Sequence, residues 1–399
     1  MSPTRLTVVS DDSASALIER ARALVPALAA RSAETERQRR VPDETIADFH
    51  RAGLFRVMQP KRFGGLELDF SVFAGITREL ARGCASSAWV YAVVEELSWV
   101  LATFPEQAQA EIWGENSAAL ACAAVVPTGS AVNDGDGYRL NGDWHFLSGS
   151  LHADWVFLTA TCDNGSGGRE LRCFFLRSAE VQFIDDWQVI GLAGTGSRSV
   201  KVNGVFVPAH RSVRYDDILN GTAPGRQVHP HYSLCRAPRR YLTAFSITPV
   251  IVGLAVRALD LMSDTLRSRL HAGSVPDDFE IVQQKVAESA AEVKTANLIF
   301  DQYLRRSVEA LDAGETIGAA AIAENRLMAS YMIRLSKQAV ERLCSITGSR
   351  WIFNSHPMQI ILRDTLAGAT HRSYNWESTA RDYSQSIGIA RGGASPIGP

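Results

Sequence analysis

The hydrophobic period of this 399-residue chain changes twice, from helical to alternating and back to helical. From about residue 12 to 115 apolar positions recur every three to four residues, the pattern of amphipathic helices. Asp11 or Ser13 can cap a first helix through SALIERARALVPALAARSAETERQ, and Pro42 with Asp43 starts a second that Gly53 closes. Phe63-Gly64-Gly65 marks a turn, after which helices resume near Ser71, through ASSAWVYAVVEELSWVLATF, and in EQAQAEIWG. From about 118 to 215 the segments are short and alternating (GYRLNGDWHFLSG, DWVFLTAT, RELRCFFLRS, SVKVNGVFVP) and are parted by Asn-Gly, Asp-Gly and Gly-Ser-Gly-Gly. That predicts an antiparallel sheet of hairpins, with 163–170 as an exposed tip. Residues 216–238, rich in Pro, Gly, His and Arg, read as a long loop, and long helical stretches then run from Arg240 to about Gly388. The final RGGASPIGP reads as a mobile tail.

Segregated helices and strands exclude a doubly wound nucleotide fold, in which they alternate. The expected class is α+β, mainly α. Its parts are an N-terminal helical domain (1–117), a central antiparallel β domain (118–222) and a C-terminal four-helix bundle (223–399).

Charge and cysteines narrow the setting. Forty-one basic against 43 acidic residues leave a net charge of -2 with no run of one sign, so nothing attracts nucleic acid. Six cysteines without C-x-x-C spacing speak against disulfides and a thiolate metal site. The first twenty residues lack a signal-type apolar core, and no uncharged apolar run approaches membrane-spanning length. A cytoplasmic protein without membrane or nucleic-acid partners is expected.

Conventional chemistry is missing. There is no P-loop, no H-E-x-x-H and no G-x-S-x-G elbow. GLAGTGS (191–197) lies between strand-like segments rather than opening a helix, and His229 with His231 supply two ligands where a metal site needs more.

Several stretches together nevertheless resemble a known family. RVPDETIADFHRAGLFRVMQPKRFGGLELDF (40–70) resembles the N-terminal helical segment of the acyl-CoA dehydrogenase superfamily. NGDWHFLSGSLHADWVFL (141–158) and WQVIGLAGTGSRSVKVNGVFVP (187–208) resemble its flavin-binding β domain. GSRWIFNSHPMQIILRDTLAGATH (348–371) resembles the closing helices of one branch, the two-component flavin-dependent monooxygenases such as the hydroxylases of p-hydroxyphenylacetate and steroid phenols and the dibenzothiophene monooxygenase.

The branch decides the chemistry. The dehydrogenases need a carboxylate for proton abstraction. Their commonest pattern puts a glutamate eight residues after the Asp of an Arg-Asp pair; here Arg363-Asp364 is followed at that place by Arg372. No Asp or Glu lies between Arg236 and Gly253, where the family's alternative glutamate would stand, and the carboxylate nearest to Arg372 is Glu377. The oxygenase branch instead has a histidine seven residues after the Asp, and His371 is there. An imidazole exchanges protons near neutral pH, although a histidine at a helix end can also be a plain cap.

The resemblance therefore implies an oxygenase component that takes reduced flavin (FADH2 or FMNH2) from a separate NAD(P)H:flavin reductase. With O2, through a C4a-hydroperoxyflavin, it would hydroxylate a small hydrophobic or aromatic substrate. It implies His371 and Ser148 as catalytic groups, and Trp144, Phe146, Ser148, Thr195, Gly196, Ser197 and Arg363 as flavin contacts, in a homotetramer or homodimer without a metal. Trp144 and Trp155 can equally be sheet packing, and Gly194 and Gly196 can equally be turn requirements. The chain departs from its relatives at Leu97, where several carry a second histidine and where Glu95 or Glu96 could stand in, and at Ile360, where an arginine is usual. An acyl-CoA dehydrogenase-type oxidoreductase, an N-oxygenase and a DNA-associated flavoprotein are the alternatives on the same fold.

Overall fold

A computed structural model describes residues 12–163, 168–274 and 278–389. Asp11, the centre of the expected 163–170 tip and the RGGASPIGP tail lie outside the described residues. The chain divides into two compact units: residues up to Val189 with Ala193–Arg239, and Ile190–Leu192 with the residues from Arg240 on.

In the first unit Ser13 caps α1 (Ala14–Gln38) by accepting the Ala16 N–H. α2 (Asp43–Arg51), α3 (Phe70–Ala81), α4 (Ala85–Ala102) and α5 (Glu106–Glu115) follow as the periodicity predicts. α4 is apolar on every side, and sixteen of its eighteen residues are buried, as such a helix requires. It carries two carboxylates into the interior. Glu95 accepts the Met58 N–H at 2.7 Å and the Ser98 hydroxyl at 3.3 Å. Burial raises its pKa to about 8, so Glu95 is a neutral acid at pH 7. Glu96 takes the guanidinium of Arg239 at 2.5 Å. Both glutamates are thus engaged with partners.

The strands β1 (Ala121–Asp134), β2 (Gly137–Leu147), β3 (Trp155–Asp163), β4 (Arg169–Arg177), β5 (Gln182–Ile184), β6 (Arg198–Pro208) and β7 (Ser212–Arg214) form one sheet in the order β5-β6-β2-β1-β3-β4-β7. Five of the six pairings are antiparallel, but β1 and β3 run parallel. The expected all-antiparallel sheet is therefore mixed. β2 returns from β1 by a tight turn at Gly135 (φ 61), and the short helical turn Ser150–His152 lies between β2 and β3, on the opposite flank of β1.

Two Asn-Gly pairs expected as hairpin turns lie inside strands. Asn141-Gly142 and Asn203-Gly204 face each other where β2 and β6 slip register, and the Gly204 N–H donates to the Asn141 side chain at 2.6 Å. Bulges need positive φ as turns do (Gly204, φ 62), so the dipeptide signal cannot tell them apart.

Residues 216–238 are not a loop. They form α6 (Tyr215–Asn220), α7 (Gly225–Val228) and a 3-10 turn at Ser233–Arg236. Side chains stitch this region to the unit: the Trp99 indole donates to the Leu234 carbonyl at 2.7 Å, and the Tyr232 hydroxyl to Leu68 and Met58 carbonyls at 2.9 and 3.1 Å.

The second unit holds α9 (Thr248–His271), α10 (Phe279–Asp312), α11 (Ala319–Ser345), α12 (Pro357–Ala369) and α13 (Trp376–Ser386), after the short α8 (Arg239–Leu242). α11 is its axis and packs on α9, α10, α12 and α13. Asn325 on α11 donates to the Tyr241 carbonyl at 3.0 Å and the Ser307 hydroxyl at 2.9 Å, a buried polar tie in an otherwise apolar seam. The stretch Arg239–His271 is apolar enough by composition to cross a membrane, which corrects the expectation that no segment is, but most of it is buried in the protein.

Glu95 gives a measurable signature. Its folded pKa of about 8 lies above the ordinary value of 4.5, so the native state keeps a proton that the unfolded chain releases between those values. Stability therefore falls as pH rises across that window. Glu95→Gln removes the slope, and the variant should melt at least ~2 °C above the parent at pH 8.5. Parallel melting curves of parent and variant from pH 5 to 9 would show that Glu95 is ionised in the native state.

Candidate active site

Ser148 follows β2 in the first unit. Its hydroxyl lies 2.7 Å from that of Ser197, which lies 2.7 Å from that of Thr195. All three are at least 95 % buried, forming a chain of hydroxyls that can pass a hydrogen bond outward from Ser148. Three of the residues predicted from the sequence are thus brought together.

Glycines let helices close on this segment. A Cβ at Gly149 would meet Val90 and Val94 of α4 at 3.0 and 3.2 Å, and one at Gly194 would meet Thr35 of α1 at 2.4 Å. Gly196 takes φ 54, and the Gly149 N–H donates to the Thr195 carbonyl at 2.9 Å. Close approach at Gly194 and positive φ at Gly196 are backbone requirements in their own right.

The aromatic residues separate. Trp144 is wholly buried in the sheet, and its indole N–H donates to the Thr159 carbonyl at 2.8 Å. Trp155 is buried between the guanidinium groups of Arg177 and Arg211, at 4.7 and 5.0 Å. Phe146 points the other way: it is 69 % exposed, takes φ 69, and meets Trp187 edge-on with centroids 5.8 Å apart. Trp187 does not stand out in the sequence, because a tryptophan between strands reads as packing. What distinguishes it is its pairing with an exposed Phe146, which the sequence pattern does not show.

In the second unit Arg363 and Asp364 hold a short segment of chain. The Arg363 guanidinium donates to the Ile190 carbonyl at 2.8 Å and to the Gln359 side chain at 2.7 and 3.1 Å. The Asp364 carboxylate accepts the Leu192 N–H at 2.6 Å. Between them Gly191 lies so close to the helix that a Cβ would stand 2.2 Å from the Arg363 carbonyl oxygen.

His371 follows α12. Its Nδ1 accepts the Ser373 N–H at 3.3 Å, capping the turn Arg372–Tyr374, and its ring lies 5.6 Å from that of Tyr374. Water reaches the ring, yet the protein around it is dense: burial first, and the Arg372 charge second, lower its pKa to about 4. The imidazole is therefore neutral at pH 7, and with Nδ1 accepting, its proton sits on Nε2. It presents a hydrogen-bond donor.

The chain is similar to known proteins over most of its length. The chain matches the acyl-CoA dehydrogenase N-terminal domain over residues 11–119 and its C-terminal domain over 245–376. It is 34% identical over 366 residues to the FADH(2)-dependent resorcinol hydroxylase oxygenase component of a Rhizobium species, covering 89% of each chain. It is 26% identical over 374 residues to the p-hydroxyphenylacetate 3-hydroxylase oxygenase component of Acinetobacter baumannii, covering 93% of this chain and 88% of that one. The crystal structure of the HsaA monooxygenase from M. tuberculosis superposes with a TM-score of 0.90 at 29% identity, covering 95% of this chain and all of that one.

The state of His371 can be read directly. Nitrogen NMR of histidine-labelled protein should show a neutral Nε2–H tautomer at pH 7 that titrates near 4 rather than near 6.5. Because the folded pKa is depressed, acidification from 6.5 towards 4 costs stability, and His371→Gln should remove that part of the slope. Titration of this imidazole near 6.5 would show it fully solvated.

Proposed function

We propose roles for individual residues in a chain that belongs to the acyl-CoA dehydrogenase family and is, within it, the oxygenase component of a two-component flavin-dependent monooxygenase. It uses reduced flavin, delivered by a separate reductase, and O2 to hydroxylate a small aromatic or hydrophobic substrate. The observation that carries our reading is an outward-turned Phe146 two residues before Ser148, the head of the buried Ser148–Ser197–Thr195 chain. A flat apolar surface beside a backed hydroxyl suits an isoalloxazine, which has an apolar face and a polar, reacting edge.

Reduced flavin, when bound, supplies the two electrons with which O2 gives one oxygen atom to the substrate and the other to water. Phe146 and Trp187 pack against the ring. The Ser148 hydroxyl, oriented by Ser197 and Thr195, donates to its polar edge and limits entry of water, which would divert oxygen to H2O2. Gly196 and Ser197 add backbone and hydroxyl contacts. Arg363 holds Ile190–Leu192 in place.

His371 acts on the substrate. Its Nε2–H donates to a phenolic oxygen and stabilises the negative charge that makes the ring nucleophilic. A neutral donor with Arg372 beside it favours an anionic oxygen, which fits a phenol as the substrate class. Resorcinol and hydroxyphenylacetate, named for the relatives, are the compounds to try first.

The second unit leaves Leu298, Phe353, Ile352 and Ile281 exposed (71, 61, 60 and 52 %). Large exposed apolar residues favour self-association through the C-terminal helices, so we expect a homodimer or homotetramer, in the cytoplasm, where its six buried thiols stay reduced.

The test is turnover with photoreduced FAD or FMN, O2 and a panel of phenols. Ser148→Ala should raise the fraction of O2 released as H2O2, and His371→Ala should lower hydroxylation by about 10²-fold with flavin binding unchanged. If the parent oxidises acyl thioesters with oxidised flavin and hydroxylates none of the phenols, this reading is wrong.

A further inference from the structure

The pairing of β2 with β6 breaks beside Ser148. Trp144 pairs with Val200 and Leu147 with Arg198, so His145 and Phe146 together stand opposite Ser199 alone. That is a β-bulge, a device that re-aims side chains near functional sites. Its second residue, Phe146, has φ 69, which an L residue keeps only where its surroundings impose it.

A hydrogen-bond chain runs through the single residue opposite. The Ser199 N–H donates to one oxygen of Asp186 at 3.0 Å, and the Ser199 hydroxyl donates to the other. The same hydroxyl oxygen lies 2.6 Å from His145 Nδ1. A hydroxyl has one proton, already given to the carboxylate, so Nδ1–H must donate in the last link. Burial pushes the Asp186 carboxyl up, but the two Ser199 hydrogen bonds, together with its own backbone N–H and the His145 ring, keep it below its ordinary range.

The other end of the chain carries the second ring. Asp186 lies next to Trp187, and its neighbour Asp185 pairs with Arg39 at 2.9 Å and Arg198 at 3.2 Å. Arg39 also donates to the Trp187 carbonyl at 3.1 Å. The segment bearing Trp187 is thus pinned to the end of α1, and the chain Asp186–Ser199–His145 ties it to the bulge bearing Phe146. The two rings meet at 85°.

We infer that His145 is a positioning residue for the cofactor: through Ser199 and Asp186 it locks Phe146 and Trp187 into one rigid aromatic edge against which the isoalloxazine packs. This rests on the reading of the Ser148 face as the flavin site. Loss of the latch frees the bulge and lets Phe146 swing, so flavin affinity falls while the sheet stays folded. An amide at position 145 can supply the N–H that Nδ1 supplies and restore the lock.

The experiment is anaerobic titration of photoreduced FAD, and separately photoreduced FMN, into the full chain and its variants, with Tm recorded for each. His145→Ala and Ser199→Ala should weaken binding about three- to tenfold, the size of one lost hydrogen bond, and His145→Asn should recover most of it. Phe146→Ala should weaken binding by itself, and adding His145→Ala to it should cost nothing more, because the latch acts through that ring. Unchanged affinity in His145→Ala with a lowered Tm would make the chain a plain structural tie and overturn the inference. So would equal losses with and without Phe146. If the parent takes up neither reduced flavin, the reading of the Ser148 face fails, and the latch has no cofactor to position.

Discussion

Trp144 lies across its own sheet, and the rest of the first unit's β structure accommodates it. The residue belongs to β2, yet its indole N–H reaches the Thr159 carbonyl on β3, on the far side of β1. The ring can pass over β1 only where β1 has no side chain: a Cβ at Gly129 would stand 2.1 Å from it, and one at Gly142 about 3.0 Å. The consequence appears in the pairing. β1 and β3 slip register between Ala124 and Gly129, and Val125 and Val126 turn outward. Immediately after Trp144 the opposite edge of β2 bulges in its turn and sends Phe146 out. One buried indole thus determines where the sheet stays regular and where it opens to present side chains.

The helices of the first unit close on the segment beyond the bulge by another route. Gly149 admits α4 and Gly194 admits α1, so Ser148, Thr195 and Ser197 end up buried among hydroxyls rather than in solvent. A buried hydroxyl with a partner keeps one orientation, and in a low-dielectric setting its bond to a ligand is worth more. α4 itself brings no ionised charge that is unpaired: Glu95 is neutral, and Glu96 meets Arg239. That helix contributes shape and apolar surface.

Most of the architecture is legible in the sequence because segregated periodicities leave few arrangements. The long helices and the β region stand where period and turn residues put them. The failures share one cause, which is that local signals do not report partners. Asn141-Gly142 and Asn203-Gly204 have turn composition, but they serve as facing bulges once β2 and β6 pair. Residues 216–238 have loop composition, yet Trp99 and Tyr232 supply hydrogen bonds that fold them into short helices. The parallel step at β3 depends on which side of β1 the chain passes, which no alternating pattern encodes. At the candidate site, Ser148 and His371 are legible only through family resemblance. His145, Ser199, Asp186 and Trp187 carry no signal in the sequence, because their meaning arises only when a bulge sets two residues against one.

In the second unit the Arg-Asp pair and the residues after it do different work. Arg363 and Asp364 anchor Ile190–Leu192, with Leu192 held at φ 54, so the pair is a mechanical fixture of the fold. Eight residues after Asp364 the chain has Arg372, and one residue earlier it has His371. Burial, and after it the Arg372 charge, lowers the pKa of that imidazole, and the Ser373 N–H takes up its Nδ1. A carboxylate there would accept a proton and repel an anion. A neutral Nε2–H with a guanidinium beside it does the reverse, since it cannot readily take a proton and it welcomes negative oxygen. The role proposed for His371 follows from that chemistry: it would steady charge on an oxygen, which is what hydroxylating an electron-rich ring demands.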